Sequence, residues 1–447
     1  MVLIGWWALR PPTLRLAFLA VMSYVFYAYW DWRFLGLMWL STGIDYVAGR
    51  MIAHTSDRHR AKIYLVVALT ANLALLAYFK YAGFFLDSLN GIASALGADT
   101  DIPVVNVVLP IGISFYTFNS MSYTIDVYRG VCRPAKNFVH YAAFVAMFPH
   151  LIAGPIVRYA DIESQLARLA PRLTAGLAAS GIFFFTCGLA KKLLFADELA
   201  PTVDALFARH DSLGLISAWG AALGYSLQLY FDFSGYSDMA VGLAFVLGFR
   251  FPQNFNSPFK AVNISDFWRR WHMSLSFFLR DYLFIPLGGS RGSRAQTLRN
   301  LLIVMFLGGL WHGAAWTFAV WGLLHGVFLV VHAVASGAGL TPRSAIVNRA
   351  ITFVAVVAAF VIFRAATLSD AIDVLSGMAG LNGIGVVSFG AAYALTIVAL
   401  LVFVNAAPNT WDITVRPTPR VAAALGFVAA FAVLQIAEPS PFLYFQF

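Results

Sequence analysis

Charge is scarce in this sequence. Only 11% of its 447 residues are Asp, Glu, Lys or Arg, while 60% are hydrophobic. An average soluble protein carries roughly 25% charged residues. So little polar surface cannot clothe a soluble chain of this length, which excludes a water-soluble enzyme and a disordered tail protein. The mean hydropathy of +0.75 agrees. The net charge of +9 and pI of 9.6 are then better read as basic loops facing the cytoplasm than as a nucleic-acid footprint. Cysteine is scarce too. Cys132 and Cys187 suggest neither a metal site nor a disulfide framework. No His, Cys, Asp or Glu group has metal-ligand spacing. Internal repeats and low-complexity tracts are missing. The first apolar stretch, 16–30, lacks a small-residue cleavage site and is followed by Asp31, Trp32 and Arg33, so it reads as a first span and not as a removable leader.

What is present are long charge-free runs. None of the four charged residue types occurs in 300–342 or in 374–411. The first run is long enough for two spans of roughly 20 residues. Both are continuously apolar, without the alternation of a membrane β-barrel. The sequence therefore predicts an all-α, polytopic membrane protein of about 11–13 helices, re-entrant segments included. Spans are expected near 14–30, 34–53, 63–85, 105–125, 138–156, 177–195, 215–231, 236–249, 300–319, 320–336, 350–366, 390–405 and 421–437. Arg50, Arg58, Arg60 and Lys62 mark a cytoplasmic loop, and the acidic loop around Asp87, Asp99 and Asp101 an external one. Later basic groups, through Arg416 and Arg420, leave the C-terminus outside. One loop disagrees: Arg158, Arg168 and Arg172 fall on the external side, so either 138–156 is re-entrant or one crossing is miscounted.

Segment 250–299 breaks the apolar pattern with mixed charge and aromatic residues. Ser265 and Asp266 can cap a helix that begins near Phe267. On it, Phe267, Trp271, Ser274 and Phe278 recur at helical spacing, and Trp268, His272, Leu275 and Leu279 form a neighbouring stripe. A basic amphipathic helix at the membrane interface would account for Arg269, Arg270 and Arg280. It does not account for His272 among bulky apolar residues. Downstream, His312 is expected near the middle of a charge-free span, surrounded by Gly308, Gly309, Gly313, Ala314 and Ala315. An ionisable group at that depth is costly and marks a functional site by default. The alternative is a histidine that bonds a neighbouring helix, and small residues would permit such close packing. His325 and His332, seven residues apart on the next helix, are read as packing residues. Two such histidines suit acyl transfer, because neutral imidazole can take the proton of an attacking hydroxyl near neutral pH and a dry site spares the activated acyl group from hydrolysis.

Seven stretches, in order, carry a resemblance. They are FYAYWDWRF (26–34), LPIGISFYTFNSMSYTIDVYRG (109–130), FPHLIAGPIVRYADI (148–162), YFDFSGYSDMAVGLAFVLGFRFPQNFNSPF (230–259), DFWRRWHMSLSFFLRDYLF (266–284), GGLWHGAAWTF (308–318) and PFLYFQF (441–447). Together they span nearly the whole chain, and it resembles the membrane-bound O-acyltransferase family in its bacterial alginate O-acetyltransferase-like branch. The resemblance implies a ring of tilted helices around a central tunnel, forming one integral-membrane domain over 1–447 with its catalytic segment in 266–336. It implies His312, in the WHG motif, as general base, with His272, in WRRWH, as its partner. Trp271, Trp311, Arg269, Arg270, Asn254 and Asp232 are the candidate substrate-binding residues. For Asp232 and Asp238 an ion pair with Arg269, Arg270 or Arg280 is the competing reading. Tyr444 is a candidate acyl carrier on the external side, or else an aromatic interface anchor. No permanently bound cofactor is implied. The expected donor is acetyl-CoA or a similar acyl thioester, or an acyl-carrier. The expected partners are membrane lipid and a periplasmic esterase-like acetyltransferase, and nucleic acid is not expected. The expected place is the bacterial inner membrane. The competing function is a transporter or flippase for a lipid or sugar, against which the sequence offers no inverted repeat or paired broken helices.

Overall fold

The computed structural model describes residues 1–98, 102–104, 107–436 and 442–443. These form α-helices, short 3-10 and π turns, and no strand. The chain divides into two compact units, 1–182 with 240–252, and 183–239 with 253–447. Five helical stretches among the described residues are long and apolar enough to cross a membrane: Pro12–His54, Arg58–Ala95, Ala175–Phe207, Trp316–Gly337 and Ala345–Arg364.

The first unit holds α1 (Pro12–Asp31), α2 (Leu35–His54), α3 (Arg58–Leu76) and α4 (Ile113–Arg129). The helix expected at 105–125 begins later because Gly112 turns the chain at φ 74°. A side chain there would also press on the Leu151 carbonyl, 2.6 Å from where its Cβ would lie, so only glycine fits. The segment 138–156 is not one span. It forms the helices Phe138–Ala146 and Phe148–Leu151, of 9 and 4 residues. Neither approaches the roughly 20 residues a crossing needs. The interior of this unit includes a polar knot absent from the sequence reading. Asp45 is fully buried. It accepts hydrogen bonds from Asn72 (2.7 Å) and Thr124 (2.6 Å), and Ser41 donates to Asn72. Hydrogen bonds from two neighbouring helices, α3 and α4, thus satisfy a polar group that would be costly alone.

The helix α5 (Leu215–Leu247) corrects the expectation of two spans at 215–231 and 236–249. Its central run of Asp232, Ser234, Gly235, Ser237 and Asp238 looks like a break by hydropathy. Asp232, Ser234, Ser237 and Asp238 are instead buried, and Asp232, Ser237 and Asp238 have polar partners, so the helix continues for 33 residues, about 50 Å. Within the second unit, Gly235 lies against the backbone of Gly188.

Further along are α6 (Ile264–Trp268), α7 (Met273–Leu279), α8 (Arg294–His312), α9 (Trp316–Gly337) and α10 (Ala345–Arg364). The spans expected at 300–319 and 320–336 are in fact α8 and α9, joined by three residues. The first helix stops at His312 because Gly313 is extended and Ala315 caps the next helix. The two helices then pack backbone to backbone. A Cβ on Gly309 would run into the Phe318 carbonyl and the Cα of Gly322, and one on Gly322 into the Met305 carbonyl. Without those glycines the axes could not approach so closely.

Candidate active site

The helix expected to run on from Phe267 is broken. Asn263, not Ser265 or Asp266, caps it by accepting the Asp266 amide at 2.8 Å, so α6 starts at Ile264. It ends after Trp268, and α7 restarts at Met273. Between them His272 adopts a left-handed backbone, φ 42° and ψ 53°. Only His272 and Ser257 among the described non-glycine residues have positive φ. A bulky residue in that region is strained and must be held there by its surroundings.

Asn254 does the holding. Its backbone carbonyl accepts the Met273 amide at 2.9 Å. Its side-chain oxygen accepts the Ser274 amide at 3.3 Å and the Ser274 hydroxyl at 2.8 Å. Its amide nitrogen donates to the Ser237 hydroxyl at 3.0 Å. The same oxygen faces His272 Nδ1 at 3.1 Å. A backbone amide can only donate, so the Ser274 contact fixes which end of Asn254 is oxygen. His272 must therefore carry its proton on Nδ1 and a lone pair on Nε2. That Nε2 is buried and has no hydrogen-bond partner among the described residues. Burial pushes the imidazole down to about 3 from its ordinary 6.5, which keeps it neutral.

His312 faces it. The two imidazole centroids lie 6.2 Å apart at an interplanar angle of 63°. His312 is the last residue of α8, not the middle of a span, because the chain leaves the helix at Gly313. A Cβ on Gly313 would strike the Phe318 ring, which explains the glycine of WHG. Trp321 (5.2 Å) and Phe363 (5.4 Å) wall the His312 ring edge-on. Trp311 lies 6.1 Å from His272.

His325 belongs to the next layer. It is fully buried between Trp268, Trp321 and Phe267. Both of its ring nitrogens are without a hydrogen-bond partner among the described residues. His332 instead lines a separate cavity of about 440 Å³ with Asn263 and Asn348.

The other candidates separate. Trp271 is buried in packing, stacked on Phe267 at 5.6 Å and edge-on to Phe255 at 5.1 Å. Arg269 lines a cavity of about 250 Å³ with Arg280, Trp268, Phe277 and Phe284. Arg270 does not line it; it pairs with Asp266 at 2.9 Å and donates to the Asn256 carbonyl. Asp232 and Asp238 pair with none of the three arginines. Lys192 lies 2.7 Å from Asp232 and Lys191 lies 2.6 Å from Asp238. Sequence reading missed both lysines as partners. Their signal was visible, since two adjacent ammonium groups in an apolar helix require counter-charges. Tyr444 lies outside the described residues.

The described residues are thus helical, with candidate membrane spans and two histidines that face each other in a buried aromatic chamber. Similarities narrow the class. Residues 133–368 match the membrane-bound O-acyltransferase family. The chain is 47% identical to a probable alginate O-acetylase of Azotobacter vinelandii over 82% of this chain and 73% of the relative. It is 41% identical to the protein of that name in Pseudomonas putida, over 100% and 97%. It is 40% identical to a peptidoglycan O-acetyltransferase of Helicobacter pylori, over 84% and 76%. The chain belongs to the membrane-bound O-acyltransferase family, and it is a membrane O-acyltransferase. The transporter and flippase alternative finds no support in these similarities.

Proposed function

We propose that this enzyme moves an acetyl group from a cytoplasmic thioester, acetyl-CoA or an acyl-carrier, to a polysaccharide of the cell surface. The observation that carries the reading is the facing pair, His272 with an unpartnered Nε2 and His312 at a helix end. His312 acts as general base and His272 positions the acceptor hydroxyl. The hydroxyl oxygen attacks the thioester carbonyl as its proton passes to imidazole. The new C–O bond forms, the C–S bond breaks, and the proton leaves with the thiolate. A helix C-terminus carries partial negative charge, which favours a cation at its last residue, His312, while the proton is held. Of the proposed substrate-binding residues, Arg269 has the best support, since with Arg280 it gives a basic lining to the 250 Å³ cavity suited to a phosphate-bearing donor. Asn254 acts through His272, and Trp271 and Trp311 keep the chamber dry.

The names of the relatives support acetyl as the group and an envelope polysaccharide as the acceptor. The same reading takes 1–447 as one integral-membrane domain with its catalytic segment in 266–336. It places the chain in the bacterial inner membrane with its C-terminus outside; with Tyr444 as the candidate carrier, its phenol is the attacking hydroxyl, and a periplasmic esterase-like partner then moves the acyl group from that phenyl ester to a sugar hydroxyl, which returns the phenol. In reconstituted vesicles, His312→Ala and His272→Ala should each lower acyl transfer about 10²–10⁴-fold while the purified variants keep their thermal transition. Parental rates in both variants would remove the reading.

A further inference from the structure

Two residues near the C-terminus, Phe442 and Leu443, have defined contacts. Phe442 and Leu443 are 6% and 5% exposed. The Leu443 amide donates to the buried Asp232 carboxylate at 3.1 Å. Lys192 holds the other oxygen of that carboxylate at 2.7 Å and is itself fixed by Asp197 at 2.7 Å. Phe442 stacks on Tyr236, centroids 4.7 Å apart, and meets Phe233 at 6.1 Å. Phe233 meets the His272 ring edge-on at 4.7 Å. One ring therefore separates the C-terminal segment from the histidine whose backbone is strained.

We propose that Asp232 is the dock of the C-terminal segment, a positioning residue that fixes Phe442 behind Phe233 and so holds His272 in register. A carboxylate in this environment is costly unless satisfied, and here a lysine and a chain-end amide satisfy it together. Asp232 is then not a substrate contact. Its charge serves to hold the Leu443 amide. The proposal rests on the acyltransferase reading for its consequence to catalysis, but not on Tyr444 being a carrier.

Hydrogen exchange at the Leu443 amide, read by mass spectrometry with site-resolving fragmentation on the full chain in detergent, tests the dock without using activity. In the parent this amide should exchange far more slowly than in denatured chain. Asp232→Ala should speed its exchange on the order of tenfold or more, because a hydrogen bond to a charged group is lost. Phe442→Ala, which leaves the helices untouched, should do the same. Asp232→Asn, which keeps an acceptor, should stay closer to the parent. Asp238→Asn removes a similar carboxylate that does not touch the chain end and should leave the amide protected. In acyl transfer, Asp232→Ala and Phe442→Ala should lower kcat and leave the donor KM unchanged. Unprotected exchange in the parent, or equal protection in parent, Asp232→Ala and Phe442→Ala, overturns the dock. A parent that transfers no acyl group counts against the functional reading, while the exchange data still decide the dock.

Discussion

His272 holds a backbone conformation that costs a non-glycine residue on the order of 1–2 kcal/mol. The cost is met by Asn254, which receives both the first amide of the following helix and the amide after it. The same contact chooses the imidazole tautomer, so one asparagine sets the position and the protonation pattern of the ring. Asn254→Ala should therefore lower kcat about 10- to 100-fold, by analogy with the loss of a supporting partner behind a histidine. Asn254→Asp, which can still accept, should recover part of that loss. Steady-state rates at saturating donor check this; an unchanged kcat in the alanine variant would show that the hydrogen bond does not orient the ring.

At the scale of elements, the crossing of α8 and α9 at Gly309 and Gly322 fixes where His312 ends up. Gly309→Ala places a methyl group against a carbonyl and a Cα, and overpacking of that kind costs about 1–3 kcal/mol. The detergent-solubilised variant should melt several degrees lower and lose activity through displaced His312. A parental melting temperature would mean that the helices can spread freely. The elements also show what the sequence can and cannot disclose. Apolar runs announced the helical membrane class, and two histidines among bulky apolar residues, His272 in the polar segment and His312 in a charge-free run, marked the candidate site. The breaks were not visible. His272 interrupts a well-spaced helical stripe because a partner 18 residues away captures the new helix start. The middle of α5 reads as polar loop because the lysines that neutralise it lie about 40 residues upstream, beyond any local pattern. Periodicity records which face is buried, not which distant group a polar side chain meets.

At the scale of the whole molecule, the few charges follow two rules. Many of those inside the second unit are paired, as with Lys191 and Asp238, Lys192 and Asp232, and Arg364 and Asp204. Many of the rest lie in loops and carry the net charge of +9. The basic loops set the expected orientation. A cysteine added after Phe447, in a chain with Cys132→Ala and Cys187→Ala, should react with an impermeant maleimide on intact spheroplasts. Arg343→Cys should react only after permeabilisation. The opposite pattern would invert the topology. The paired lysines also bear on how the helices are placed. Lys191 and Lys192 precede Asp232 and Asp238 in the chain. An unpaired charge at the bilayer centre costs about 2.5–3.5 kcal/mol; Lys192 has Asp197 on its own helical stretch, whereas Lys191 finds its carboxylate on α5. Burial of both ammonium groups is therefore complete only once α5 has delivered Asp232 and Asp238, which ties the final placement of the two helices to each other.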